Sequence, residues 1–150
     1  MKIEGTFDGF GAPRITVTLI NKKMNIEHDI NFLIDTGASR TIIADTDAIK
    51  LGLDYSKLHK TKENMTGIGG VVDTYAMRDT KLHFVTNGKI HVEKLAEIFV
   101  IKHIVVDEKT KELVRRIPSL LGRDILGKYT LFVDDYNRVF ITDELKGLKM

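Results

Sequence analysis

The stretch N-F-L-I-D-T-G-A-S-R-T-I-I, residues 31–43, sets a carboxylate at the end of an apolar run and directly before a forced turn. Phe32, Leu33 and Ile34 lead into Asp35. An isolated carboxylate is costly in apolar surroundings. Asp35 is therefore either a solvated turn residue or a group whose surroundings are arranged for chemistry. Gly37 lets the backbone bend where a side chain would clash. Ala38 and Ser39 are small, so another chain or a substrate can approach closely. Thr36 offers a hydroxyl, and N–H groups in such a turn can point at the carboxylate and hold it. Asp and Gly favour turns in any β protein. By average residue frequencies, however, this D-T-G, with a small residue after it and three apolar residues before it, arises by chance in fewer than roughly 1 in 1,000 chains of this size.

The remaining composition narrows the setting. A chain of 150 residues, 43% hydrophobic and 29% charged, reads as one globular domain over 1–150. A net charge of +2 and the lack of a Lys/Arg stripe argue against a nucleic-acid partner. With no cysteine there is no disulfide, thiolate zinc site or cysteine nucleophile. No long apolar run suggests a membrane span, and Met1-Lys2-Ile3-Glu4 opens no signal-peptide core, so the expected compartment is the cytoplasm.

Outward from residues 31–43 the pattern is mostly short strands. Arg14–Ile20 alternates apolar and polar residues, as a half-buried strand does; Glu27–Ile34 and Thr41–Ile43 read as further strands. Thr74–Val85 and Lys89–Ile104 are strand-rich around Asn87-Gly88, a strong hairpin signal. Tyr129–Thr142 holds two alternating runs around a turn that contains Asp134-Asp135. Asp45–Leu51 predicts one or two helical turns, capped by Asp45 or Thr46 and ended by Gly52; Arg123–Lys128 predicts another, stopped by Gly127. Asp107–Glu112 reads as a solvated charged loop, and Gly9–Pro13 as a turn before the first long strand or a lining of the substrate groove.

F-L-I-D-T-G-A-S resembles the catalytic signature of the aspartic proteases, and in particular of the retroviral, retropepsin-like type. A second landmark of that family is two apolar residues and a glycine leading into a short helix. Leu120-Leu121-Gly122-Arg123-Asp124 is similar to it. Between the two stands Met65-Thr66-Gly67-Ile68-Gly69-Gly70, placed where the family carries a glycine-tipped flap. The order of the three landmarks is the specific signal. The resemblance implies an all-β closed barrel, a single lobe with one or two short helices, and no metal or cofactor.

This chemistry needs two carboxylates that share a proton: one takes a proton from water and the other donates to the carbonyl oxygen. The chain has one D-T-G, so a homodimer is the economical solution, with Asp35 of each copy at the two-fold axis. The resemblance implies the same, with Thr36 bonded across the dyad. Gly67–Gly70 would hold an extended peptide, with Ile34, Ile68, Leu120 and Leu121 as subsite walls. Arg123 would support the active-site turn through an ion pair or a backbone contact. Asp124, at a helix start, suits capping or an arginine salt bridge. Ala38 has no hydroxyl to favour an ionised dyad, which predicts activity at mildly acidic to neutral pH; Ser39 could supply one only from a distorted turn. Leu131, Val133, Val139 and Ile141 are candidate interface positions, an intramolecular sheet edge being the alternative. The five histidines lack ligand spacing and read as surface or partly buried strand residues. The rival to an endopeptidase is an inactive module of the same fold that binds peptides or dimerises.

Overall fold

The computed structural model of the chain describes residues 1–61, 72–134 and 137–144. Two antiparallel hairpins build most of it. In the first, β3 (Pro13–Asn21) pairs with β4 (Ile26–Ile34), from Arg14↔Leu33 to Asn21↔Ile26. Alternation along β3 sends Ile15, Val17 and Leu19 inward, where they meet Ile30 and Phe32 of β4. In the second, β7 (Val72–Thr86) pairs with β8 (Lys89–His103). Asn87 at φ 49° and Gly88 at φ 74° close it, the two left-handed residues that a type I′ turn requires.

The hairpins join through Thr18↔His83, Leu19↔Leu82 and Ile20↔Lys81. At the far side β9 (Leu120–Leu121) is inserted between β4 and β5 (Ile42–Ile43), parallel to the first and antiparallel to the second. Strand β5 in turn runs parallel to β8 at Ile42↔Phe99. The ring β3–β4–β9–β5–β8–β7 thus closes into a six-stranded barrel. Phe32, Phe84, Met77, Leu82, Ile98, Leu121 and Ile125 fill it. Where β7 turns the corner at Asp79 (φ 56°), the buried Asn21 amide donates to the Arg78 carbonyl at 2.9 Å, so the bend leaves that acceptor satisfied.

Beneath the barrel, β1 (Lys2–Glu4), β11 (Val139–Thr142) and β10 (Thr130–Val133) form a three-stranded sheet with β11 in the centre. The Thr86 hydroxyl donates to the Lys2 carbonyl and ties this sheet to β7. Short strands β2 (Thr6–Phe7) and β6 (His59–Lys60) extend the barrel sheet along β3 and β7.

Three α-helices are described, where one or two were expected: α1 (Asp45–Lys50), α2 (Glu108–Arg115) and α3 (Arg123–Leu126). The extra one is α2, and it replaces the charged loop expected over Asp107–Glu112. Asp107 caps it by accepting from Thr110 N–H at 2.7 Å, and Glu112 pairs with Arg115 and Arg116 one turn on. A charge run with Val114 buried on one side is a helix face, and its cap was the overlooked signal.

The cap of α1 also differs from expectation. Its N-cap is Ala44, with no side-chain bond, because the Asp45 carboxylate is held by His103, whose Nδ1 lies at 2.6 Å and whose backbone N–H donates at 2.7 Å. His103 is consequently buried, unlike the surface or half-buried position expected of the histidines. Gly52, at φ 66°, does end the helix.

Candidate active site

Every element around Asp35 is fixed by a neighbour distant in sequence. Strand β4 ends in two ladder contacts to the β9 segment: Leu33 N–H donates to the Ser119 carbonyl at 2.9 Å, and Asp35 N–H to the Leu121 carbonyl at 3.1 Å. The chain then turns. Gly37 N–H donates to Asp35 Oδ1 at 2.9 Å, and Ala38 N–H to the Asp35 carbonyl at 3.2 Å. A Cβ on Gly37 would stand 3.1 Å from Asp35 Oδ1, close enough to push the carboxylate by a few tenths of an ångström. Asp35 is half-buried, while Thr36, Gly37 and Ser39 are exposed at the tip. The carboxylate is therefore oriented by the backbone and still open on one side.

The second landmark holds this turn from behind. Arg123 Nη1 donates to the Thr36 carbonyl and Arg123 N–H to the Ala38 carbonyl, both at 2.8 Å. Of the two contacts expected for Arg123, the described residues show the backbone one. Gly122 lies against the same loop: a Cβ there would come within 2.5 Å of the Arg40 carbonyl carbon and oxygen. The Asp124 carboxylate serves chiefly Thr41, and its bond from Ile125 N–H in the first turn of α3 is the helix-start contact expected of it. It accepts from Thr41 N–H at 3.0 Å and from the Thr41 hydroxyl at 2.6 Å, besides Ile125 N–H at 2.9 Å. The Thr41 hydroxyl, fully buried, accepts in turn from Gly122 N–H at 3.1 Å.

The structure adds residues the sequence reading passed over. Ser119, fully buried, accepts from Ala44 N–H at 2.9 Å and donates to Asp47 Oδ2 at 2.6 Å, so it joins α1 to the strand beside Asp35. Thr41 and Ser119 could have been found as hydroxyls standing immediately beside the two landmarks, where buried backbone needs partners.

Other expected roles divide. Ile34 and Leu121 are core residues, 6% and 0% exposed, and cannot wall a subsite; Leu120 is half-buried. Val139 and Ile141 are likewise used up in the core at 1% and 0%, because the two termini pair within one chain and bury β11. Of the four candidate interface positions only Val133 is well exposed; Leu131 packs partly against the core. Asp134 closes the β10–β11 hairpin by accepting from Arg138 N–H at 3.0 Å, as a turn residue does. Gly67, Ile68, Gly69 and Gly70 lie outside the described residues. On either side of residues 62–71, β6 pairs with β7 at His59↔Ala76, and Thr61 N–H donates to the Thr74 carbonyl at 2.8 Å. Among the described residues no cluster of His, Asp or Glu could hold a metal ion, and no helix is long and apolar enough to cross a membrane.

Known proteins give this geometry its context. Residues 16–125 match the sequence model of a family described as aspartyl protease. Among solved structures the chain is similar to a retropepsin-like aspartic protease from Rickettsia conorii: 22% identity, TM-score 0.59, covering 94% of this chain and 89% of that one. It is also similar to EIAV protease complexed with an inhibitor, at 20% identity and TM-score 0.48, covering 81% of this chain and 91% of that one. A third likeness is to the retroviral protease-like domain of Ddi1 from Leishmania major, at 15% identity and TM-score 0.44, covering 86% and 94%. No curated protein matches the chain. Identities this low speak for fold alone, whereas the family match spans both the Asp35 turn and the Leu120–Asp124 segment behind it. The chain belongs to the aspartyl protease family and has the retropepsin-like fold.

Proposed function

We propose that this chain is an aspartic endopeptidase, working in the cytoplasm as a symmetric homodimer on extended peptide segments. The observation that carries the reading is the Asp35 turn: one half-buried carboxylate, oriented by Gly37 N–H and braced through Arg123, with an open side. One carboxylate is half of the chemistry. A two-fold axis at the turn brings Asp35 of a second copy beside it, with the two Thr36 hydroxyls cross-linking the turns. At that spacing the two groups share a proton, because adjacent like charges resist joint ionisation. The ionised member takes a proton from the attacking water while the protonated one donates to the scissile carbonyl oxygen. The dyad then returns a proton to the leaving nitrogen as the tetrahedral intermediate breaks. No metal or cofactor takes part in this scheme. Gly67, Ile68, Gly69 and Gly70 of each copy close over the peptide and bond its backbone.

The test is cleavage of a peptide library between pH 4 and 7 by the wild type and by Asp35→Asn. The substitution keeps the size of the side chain and removes the ionisable group. Loss of at least roughly 100-fold in rate is expected, the scale of a removed general acid–base. Equal cleavage by both proteins, or by neither, would end the reading; a folded dimer with no cleavage would favour a peptide-binding module.

A further inference from the structure

A second surface lies on the outer side of the β7–β8 hairpin, away from Asp35. Residues directly opposite in an antiparallel pair share a face. The register Lys81↔Lys94, His83↔Val92 and Val85↔Ile90 therefore puts these six side chains on one face. Their inward neighbours confirm the sense, since Leu82 and Phe84 are fully buried. On this face Val85 is 62% exposed, Ile90 60% and Val92 40%. They form a continuous apolar strip, unlike the single exposed residues that any surface carries.

Two further observations say what fits there. First, β8 has an open edge. Among the described residues its partner besides β7 is β5, at Phe99 and Val100. Among the described residues no other strand pairs with Lys89–Glu97, so its outer backbone groups are available to an added strand. Second, the charge on the strip has one sign. Lys81 and Lys94 stand directly opposite each other, a destabilising arrangement for like charges, and neither has an ion-pair partner among the described residues. The carboxylates nearest this face are Asp79, exposed at the β7 bend two residues before Lys81, and on β4 Glu27, opposite Ile20, and Asp29, opposite Thr18, whose hydroxyl bonds it at 2.6 Å. Lys94 on the edge and Lys81 beside it, on the paired strand β7, disfavour a basic added strand and favour one that brings a carboxylate next to them.

We propose that the open edge of β8 and the strip beside it bind an extended segment of another protein in which the residues of one face, every second position, run aliphatic, aliphatic, acidic. The segment adds a strand to β8 through backbone bonds; on the face it shares with the strip, two aliphatic side chains two residues apart lie beside Ile90 and Val92, and an acidic side chain two residues further lies beside Lys94, with Lys81 next to it across the hairpin. Binding there is independent of Asp35, so it stands whether or not the protease reading does.

The experiment uses fluorescence anisotropy of a labelled peptide, Glu-Thr-Ile-Thr-Val-Thr-Glu, whose acidic and aliphatic residues share one face in either strand direction, and of a control with lysine at every acidic position. Both are titrated with the full chain and with Asp35→Asn. The acidic probe should bind at least tenfold more tightly than the lysine probe, equally in the two proteins. Ile90→Ser with Val92→Ser should weaken it at least tenfold. Lys81→Glu with Lys94→Glu should reverse the preference to the lysine probe, a gain that a misfolded variant cannot show. Hydrogen exchange should slow at amides within residues 89–97 when the acidic probe is bound. Equal affinity for both probes, or affinity unmoved by these substitutions, would overturn the proposal. So would concentration-dependent self-association lost in the same variants, which would assign the face to a second copy of the chain.

Discussion

Asp124 shows how one carboxylate can decide whether another is usable. It satisfies both the amide and the hydroxyl of Thr41, a fully buried residue five places past Thr36, and the same hydroxyl serves Gly122 N–H. Asp124→Ala strands two buried donors, and each unsatisfied group costs about 1–3 kcal/mol. The expected loss is about 2 kcal/mol or more, read as a lower urea midpoint with an unchanged slope; Asp124→Asn, which keeps one acceptor, should lose less. Glu93 offers a pH-dependent contrast far from the turn. Burial pushes its carboxyl up, but hydrogen bonds from Tyr129, Lys128 and His91 outweigh that and hold it below the ordinary carboxylate range. Burial and the Glu93 bond together push the Tyr129 hydroxyl up. The unfolded chain thus takes up the Glu93 proton first, and its contribution, complete above the ordinary value of 4.5, is lost as pH falls through the lowered folded value. Tyr129 acts in the opposite direction: its contribution is complete below 10 and is lost as pH rises. Glu93→Gln should cost roughly 1.5 kcal/mol at pH 7, the low end for a bond to a charged group, and the gap to wild type should narrow as pH falls below 4.5 in unfolding titrations.

At the scale of elements, legibility followed how local the signal was. The β7–β8 turn was readable because Asn87 and Gly88 carry their own left-handed preference. The body of β3 was readable because burial alternates residue by residue. Strands β1, β2 and β9 hold two or three residues each and exist only through partners far along the chain, as Leu120 does between Leu33 and Ile42. No local pattern marks such strands. For the same reason Ile34 and Leu121 looked like cleft walls: apolar residues beside the D-T-G turn read alike whether they face a cleft or the core. Helix α2 is the opposite case, a local signal outvoted by its charge. Its cap is testable without touching the site: Asp107→Ala removes the bond to Thr110 N–H and should cost about 1 kcal/mol in thermal or urea unfolding. Peptide cleavage should be unchanged, since α2 rests on α1, through the Thr46 hydroxyl bond to the Arg115 carbonyl, and stands apart from the Asp35 turn.

For the whole molecule, the terminal sheet alters what a second copy has to supply. Both ends of the described chain are used within one protomer: β1 pairs with β11, and the Thr142 hydroxyl bonds the Met1 carbonyl at 2.6 Å. Among the described residues, β10 pairs with β11 on one side only, so its other edge is open. A protomer whose sheet is complete without its partner can fold first and associate afterwards, and its subunits can then exchange. Exchange gives a quantitative test of the shared dyad that needs no structure of the dimer. If each active centre takes one Asp35 from each copy, a mixed dimer of wild type and Asp35→Asn is inactive. Random pairing then makes activity per wild-type chain fall in proportion to the wild-type fraction: to about half in an equal mixture and about a quarter at one part in four. The mixture is incubated until subunits have exchanged, confirmed by mass spectrometry of differently tagged copies, and assayed at fixed wild-type concentration. A single-chain active centre would leave the rate flat across the series. The linear fall is expected, because the described structure brings no second carboxylate of the same chain into contact with Asp35, and the dyad chemistry requires one.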